Sequence, residues 1–192
     1  MADKGGLGKV IAKSVREGRK PSPDEMAPSR DKLAILISDL SGFTRIFLQD
    51  GPETILPLIQ WMRDKAQTCF EETNGRFLKS EADNLFVVFD TPAQAVECAH
   101  ALNKALEAKP PIGDEIISIC IGIGFGEVVW WGNEDIYGVE VNLASKLGED
   151  TAGPREILLT EAAANELPEA NLEGPLTIEA GAQTIPYFRL AQ

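Results

Sequence analysis

The chain is short of histidine, cysteine, positive charge and long apolar runs, and each shortage removes a class of function. One histidine, His100, in 192 residues leaves no partner for a histidine metal site. On an amphipathic helical stretch it reads as a surface or boundary residue. Cys69, Cys98 and Cys120 are few, odd in number and far apart. That argues against a disulfide framework or a cysteine zinc site, and it fits buried thiols in a reducing, cytoplasmic compartment. The longest apolar run, residues 116–125, is broken by Ser118 and falls far short of the roughly 20 residues of a membrane span. No apolar core follows the basic residues at the start, as a secretory signal would need. Eighteen Lys and Arg against thirty Asp and Glu give a formal charge of −12. Such a charge repels a phosphate backbone, so nucleic acid is not an expected partner.

What is present fits one globular domain with a short tail: 192 residues, 44% of them hydrophobic. The positive charge is concentrated at the start. Residues 1–20 carry a net +4, which leaves −16 in the remainder. Lys9, Lys13, Arg16 and Lys20 recur at helical spacing, with Leu7, Val10, Ile11 and Val15 largely on another face. As a helix, this stretch offers contact with an anionic membrane, an upstream module or a regulatory partner; as a tail, it offers none. Residues 18–30, with Pro21, Pro23 and Pro28, read as a linker. The expected division is a basic tail and proline-rich linker at 1–31 and a folded domain at 32–192.

Within that domain residues 33–38 form an apolar strand that ends at Asp39, followed by the turn Leu40, Ser41, Gly42, Phe43, Thr44. An aspartate there is a helix cap or turn residue, or a cation ligand beside backbone N–H groups facing an anion. Residues 52–73 read as a helix with one apolar stripe, and Arg63 lies off it. Residues 76–80 and 85–89 read as a hairpin with Asp83 at its tip; Lys79 and Glu81 share a strand face by the period of two. Further expectations are a helix at 92–109, a strand at 115–124, and a second hairpin punctuated by Gly124, Gly126 and Gly132 that carries Trp130 and Trp131. A helix at 139–149 places Asn142 and Lys146 on one face. A strand at 156–160, a helix at 161–166 and a last edge strand at 184–190 complete the pattern. The order is that of a split β-α-β, ferredoxin-like α+β fold, an antiparallel-rich sheet with helices packed on one side.

Four segments in this order resemble the catalytic domain of class III nucleotidyl cyclases, the adenylate and guanylate cyclase family. They are ISDLSGFT (37–44), GRFLKSEADNLFVVF (75–89), IGIGFGEVV (121–129) and DIYGVEVNLASKL (135–147). The resemblance implies a palm-like catalytic domain that converts ATP to 3′,5′-cyclic AMP and pyrophosphate in a head-to-tail homodimer with shared active sites. It implies that Asp39, Asp83 and the carbonyl of Leu40 hold two divalent ions, Mg²⁺ or Mn²⁺. It further implies that Lys79 and Asp135 read adenine, that Asn142 orients the ribose, and that the Ser41, Gly42, Phe43, Thr44 turn faces the triphosphate.

The pattern departs from the family at three places. Lys146 stands where active members usually carry an arginine that stabilises the transition state. Ala82 and Asn84 replace glycines around the second metal aspartate, and Asn84 is the one suited to a left-handed turn conformation. Where members often carry a triphosphate-binding lysine, residues 176–181 offer only Glu179. These departures keep open an alternative: a catalytically weak cyclase-homology module that binds nucleotide or metal as a regulatory dimer.

Overall fold

Two short helices precede the first strand: α1 (Gly6–Arg16) and the one-turn α2 (Pro23–Met26). The structure is a computed structural model that describes residues 6–108, 110, 117–133 and 135–191. Helix α1 lies against the sheet and α2 with Leu7 and Ser14 buried, while Val15 points outward. Ser22 and Glu25 form a capping box that starts α2, and the Arg19 guanidinium grips Glu25 with two 2.8 Å bonds. The stretch expected to be a linker is therefore locally ordered.

Strand β1 (Arg30–Leu40) is longer than its apolar run, and its Asp39 lies one residue from the end. It is followed by α3 (Phe43–Asp50), α4 (Pro52–Glu72), the hairpin β2 (Arg76–Glu81) and β3 (Asn84–Phe89), then α5 (Pro92–Ala105). Thr91 and Gln94 cap α5, with Pro92 at its first position. The end expected for this helix reaches Lys109, which lies outside the described residues. Strand β4 (Ile119–Trp131) pairs with the short β5 (Asp135–Tyr137); residues 115 and 116 of the expected strand are likewise outside the described residues. Helix α6 (Val139–Ser145) runs into a π-helical turn (Lys146–Thr151) where an α-helix to residue 149 was expected. Then come β6 (Ile157–Thr160), α7 (Glu161–Asn165), β7 (Leu172–Ala180) and β8 (Gln183–Leu190). Strand β7 was not expected, and it displaces β8 from the edge: the sheet order is β2-β3-β1-β4-β6-β8-β7, with β5 on β4. Among the described residues only the β4–β6 pairing is parallel. Among the described residues no helix is long and apolar enough to cross a membrane.

Because β1 is apolar on both faces, it anchors two cores. Ala34, Leu36 and Leu40 join Ile119, Ile121 and Ile123 under α4 and α5. Leu33, Ile35 and Ile37 join Val128, Trp130, Val141 and Ala144 on the opposite face. Helices thus cover both faces, not one as expected. The reason lies in β4, where Gly124 and Gly126, expected to punctuate a hairpin, continue the strand, and where Gly122 and Gly124 admit a helix. A Cβ on Gly122 would stand 2.0 Å from the Ala144 carbonyl oxygen and 2.6 Å from the Gly148 nitrogen; one on Gly124 would stand 2.5 Å from the Glu140 carbonyl oxygen. Only Gly132, at φ +70°, makes the turn.

Gly122→Ala should therefore destabilise the protein by about 3 kcal/mol, on the order of 10 °C in Tm, because its new methyl meets backbone. Gly126→Ala meets the Glu140 side chain instead and should cost clearly less. Thermal unfolding of the two variants checks the order.

Candidate active site

Asp39 and Asp83 come together from the end of β1 and the tip of the β2–β3 hairpin. Asp83 is 6% exposed, and its Oδ2 accepts the Leu40 backbone N–H at 3.3 Å. Burial pushes both carboxyls above their ordinary range. Asp39 rises to about 7, first by burial, then by repulsion from Asp83 and Glu149, with Asp150 adding to it. Asp83 rises by burial, opposed by backbone N–H groups including that of Leu40. Two half-desolvated carboxylates facing each other form an electrostatic deficit that a cation relieves. Among the described residues no group of three His, Cys, Asp or Glu side chains forms a metal cage. Two carboxylates that leave room for phosphate oxygens and water are the donor set Mg²⁺ takes at nucleotide sites. The residues fit the divalent ions that the sequence implies.

The hairpin tip departs from expectation in one detail. Ala82, not Asn84, adopts the left-handed conformation, at φ +51°. Its carbonyl accepts a 2.6 Å bond from Arg63 Nη2 of α4, and the Arg63 charge favours ionised Asp83. Sequence reading missed Arg63, which lies off the apolar stripe of its helix. Only a contact nineteen residues away reveals its role.

Lys79 Nζ lies 3.1 Å from Asp135 Oδ1 and also pairs with Glu81. The pairing of β2 with β3 shifts between Phe77 and Lys79. Phe77 is paired with Val87 of the helix-covered core, whereas Leu78 and Lys79, opposite Phe86, both fall on the other face. A bulge thus re-aims Lys79 toward Asp135. Asp135 is also bonded by the Ile136 N–H at 3.2 Å and the Tyr137 hydroxyl at 3.3 Å. The pair opens on a hollow of about 400 Å³ lined by Lys79, Trp131, Gly132, Asn133 and Asp135.

Asn142 is exposed on α6. Lys146, one turn on, stands 3.4 Å from Asp150 Oδ2. Glu140 locks the start of α6, its Oε2 accepting from Phe125 N–H at 3.2 Å and from the Thr160 hydroxyl at 2.6 Å. Gly42 begins α3 in the left-handed conformation, so Phe43 and Thr44 occupy the first helical turn, and Ser41 N–H is tied to the Ser118 carbonyl at 2.9 Å. Glu179 accepts a 3.0 Å bond from Thr184. Among the described residues no hydrogen bond or ion pair joins the Asp39–Asp83 pair to the Lys79–Asp135 pair.

A sequence model described as the adenylate and guanylate cyclase catalytic domain matches residues 25–189. A Streptomyces coelicolor protein named adenylate cyclase is 27% identical over 140 residues, 73% of this chain and 34% of its own length. The chain spans only 22% to 34% of the length of the curated relatives it matches. Among solved structures, the adenylyl cyclase CyaB of P. aeruginosa matches with a TM-score of 0.71 at 21% identity, over 85% of this chain and 95% of that one. The guanylate cyclase domain of RhGC from Catenaria anguillulae, solved with GTP, matches with a TM-score of 0.76 at 16% identity, over 84% and 96%. Likeness at this identity shows the fold.

Two outcomes test the carboxylate pair and its hairpin. Because the folded Asp39 value lies above the ordinary one, the native state keeps a proton that the unfolded chain has lost, and stability falls as pH rises between about 4 and 7. In metal-free protein Asp39→Asn should therefore raise Tm more at pH 8 than at pH 5. Separately, Ala82→Gly should stabilise by about 1 kcal/mol in denaturant titration, since a left-handed alanine costs roughly that.

Proposed function

The chain belongs to the adenylate and guanylate cyclase catalytic domain family, and we propose that it is an adenylate cyclase converting ATP to 3′,5′-cyclic AMP and pyrophosphate. The observation that carries this reading is the Lys79–Asp135 pair, a donor and an acceptor 3.1 Å apart beside a hollow. Adenine presents an acceptor at N1 next to a donor at its 6-amino group, and this pair answers both. Guanine presents the opposite pattern and leaves both protein groups mismatched, which costs orders of magnitude in specificity. The relatives named adenylate cyclase support the same choice.

Asp39 and Asp83 hold the divalent ions, with the Leu40 carbonyl as a backbone ligand. The bound ions supply charge neutralisation at the phosphoryl oxygens and a lowered pKa for the ribose 3′-hydroxyl. The residues around them orient and balance the substrate. The first turn of α3, with Gly42 before it, offers backbone N–H groups to the triphosphate, and Ser41, whose N–H is held by the Ser118 carbonyl, contributes through its hydroxyl. Asn142 fixes the ribose so that its 3′-oxygen lines up with the α-phosphorus and the leaving pyrophosphate. Lys146 supplies cationic charge to the transition state, as a point donor without the planar fork of an arginine. A second copy of the chain completes each site: the carboxylate pair comes from one protomer and the purine pair from its partner. The exposed Tyr137 and Val139 support such a seam. Residues 6–26, with basic side chains outward, are the segment through which an upstream regulatory protein would act.

A second reading, a weakly catalytic cyclase-homology module, draws on the cations. Lys146 is engaged by Asp150, and Glu179 stands where a lysine would help. Assay of purified protein with Mn²⁺ and ATP or GTP separates the two. The cyclase reading expects cyclic AMP in excess over cyclic GMP, its near-complete loss in folded Asp39→Ala, about a hundredfold fall in kcat for Lys146→Ala, and a native or higher rate for Lys146→Arg. Negligible native turnover with nucleotide binding unchanged by either Lys146 substitution would favour the module.

A further inference from the structure

A purine read by Lys79 and Asp135 would be met in its own plane, along one edge, with the faces of its ring left uncovered by that pair. Among the described residues that line the hollow beside them, Trp131 is the aromatic one. It stands directly opposite Asp135 in the β4–β5 register, and cross-strand partners project to the same side of a sheet. Its neighbour Trp130 is 2% exposed, with its indole N–H bonded to Asp31 at 2.7 Å. Trp131 is 46% exposed.

Tyr137 ties this indole to the purine-reading pair. Its ring meets Trp131 edge-on, centroids 6.3 Å apart and planes at 76°, while its hydroxyl donates to Asp135 Oδ2 at 3.3 Å. Lys79 holds the other oxygen of the same carboxylate. One tyrosine therefore braces both a flat apolar face and the acceptor that reads the base edge, so the two keep a fixed relation. Gly132, the next residue, adds no obstruction: a Cβ on it would meet nothing within 4 Å.

We propose that Trp131 is the stacking platform for the purine base, a substrate-binding residue that sets affinity and holds the ring where Lys79 and Asp135 can read it. This rests on the reading of the hollow as a purine site. Stacking on an aromatic side chain is indifferent to base identity; Trp131 therefore supplies binding energy and the polar pair supplies choice.

The test uses the full chain with Mg²⁺ and 3′-deoxy-ATP, which lacks the attacking hydroxyl and so binds without turnover. Calorimetry gives Kd, and indole emission reports the stack. Native protein should show saturable quenching. Trp131→Leu should lose most of the quench and weaken Kd by about tenfold or more, whereas Trp131→Phe should keep most of the affinity. Inorganic tripolyphosphate, which has no base, should bind all three proteins alike. With ATP, the loss in Trp131→Leu should fall on KM more than on kcat. A native Kd in Trp131→Leu protein that still cyclises ATP would sink the stacking role and leave the cyclase reading intact. A native Kd with a fall in sedimentation coefficient would assign Trp131 to the seam between copies, again overturning it. Quenching and a weakened Trp131→Leu Kd in a protein that makes no cyclic product would uphold the platform and fail the cyclase reading.

Discussion

The arrangement depends on one close contact, backbone against backbone, between α6 and the middle of β4. The two elements touch where the strand has no side chains to hold them apart, at Gly122 and Gly124, and Gly148 of the π-helical turn closes against Gly122 and the Ile37 carbonyl. Glu140 bolts the near end of the helix to Phe125 and Thr160. Protein interiors resist expansion, so α6 has little freedom in height or rotation over the sheet. Asn142 and Lys146 inherit their positions from that restraint. The other face of the same strand carries Ile119, Ile121 and Ile123 into the larger core, and one strand therefore serves as both foundation and mount.

Electrostatics works against this frame. Asp83, Glu149 and Asp150 all press on Asp39 near the end of β1, in a chain whose formal charge is already −12. The nearby cations are already engaged: Lys79 with Asp135 and Glu81, Lys146 with Asp150, and Arg63 with the Ala82 carbonyl. The acidic cluster is held together by packing in spite of its charge. Its natural complement is positive charge brought from outside the chain.

How much of this was legible in the sequence follows the range of the interaction. Periodicity revealed α4, the β2–β3 hairpin and the apolar run of β1, because those patterns repeat within a few residues. Asp39 and Asp83 stood out as a carboxylate at a strand end and one at a hairpin tip, and the structure brings them together. The glycines of β4 misled, since a local rule reads glycine as a turn while here it admits another backbone. Strand β7 was missed: Glu173, Gly174 and Pro175 interrupt its alternation. The order in residues 6–29 rests on Arg19 reaching Glu25 and on the burial of Leu7 as α1 lies near β4. Arg63 and Trp131 were out of reach for the same reason, because neither has a local pattern that marks its partner.

The irregularity in β2 carries a consequence for how such chains are compared and altered. Side chains on a strand alternate, so the aim of Lys79 is a question of parity, settled by one extra residue between Phe77 and Lys79. Removal of Leu78 would straighten the strand and leave the lysine opposite Phe86, on the face it already holds, and would take Leu78 out of the core of that face. A strand of the same length without the irregularity would send the lysine toward the core under α4; the bulge lets Phe77 and Lys79, two residues apart, serve opposite faces, and a gap misplaced by one in an alignment hides that device.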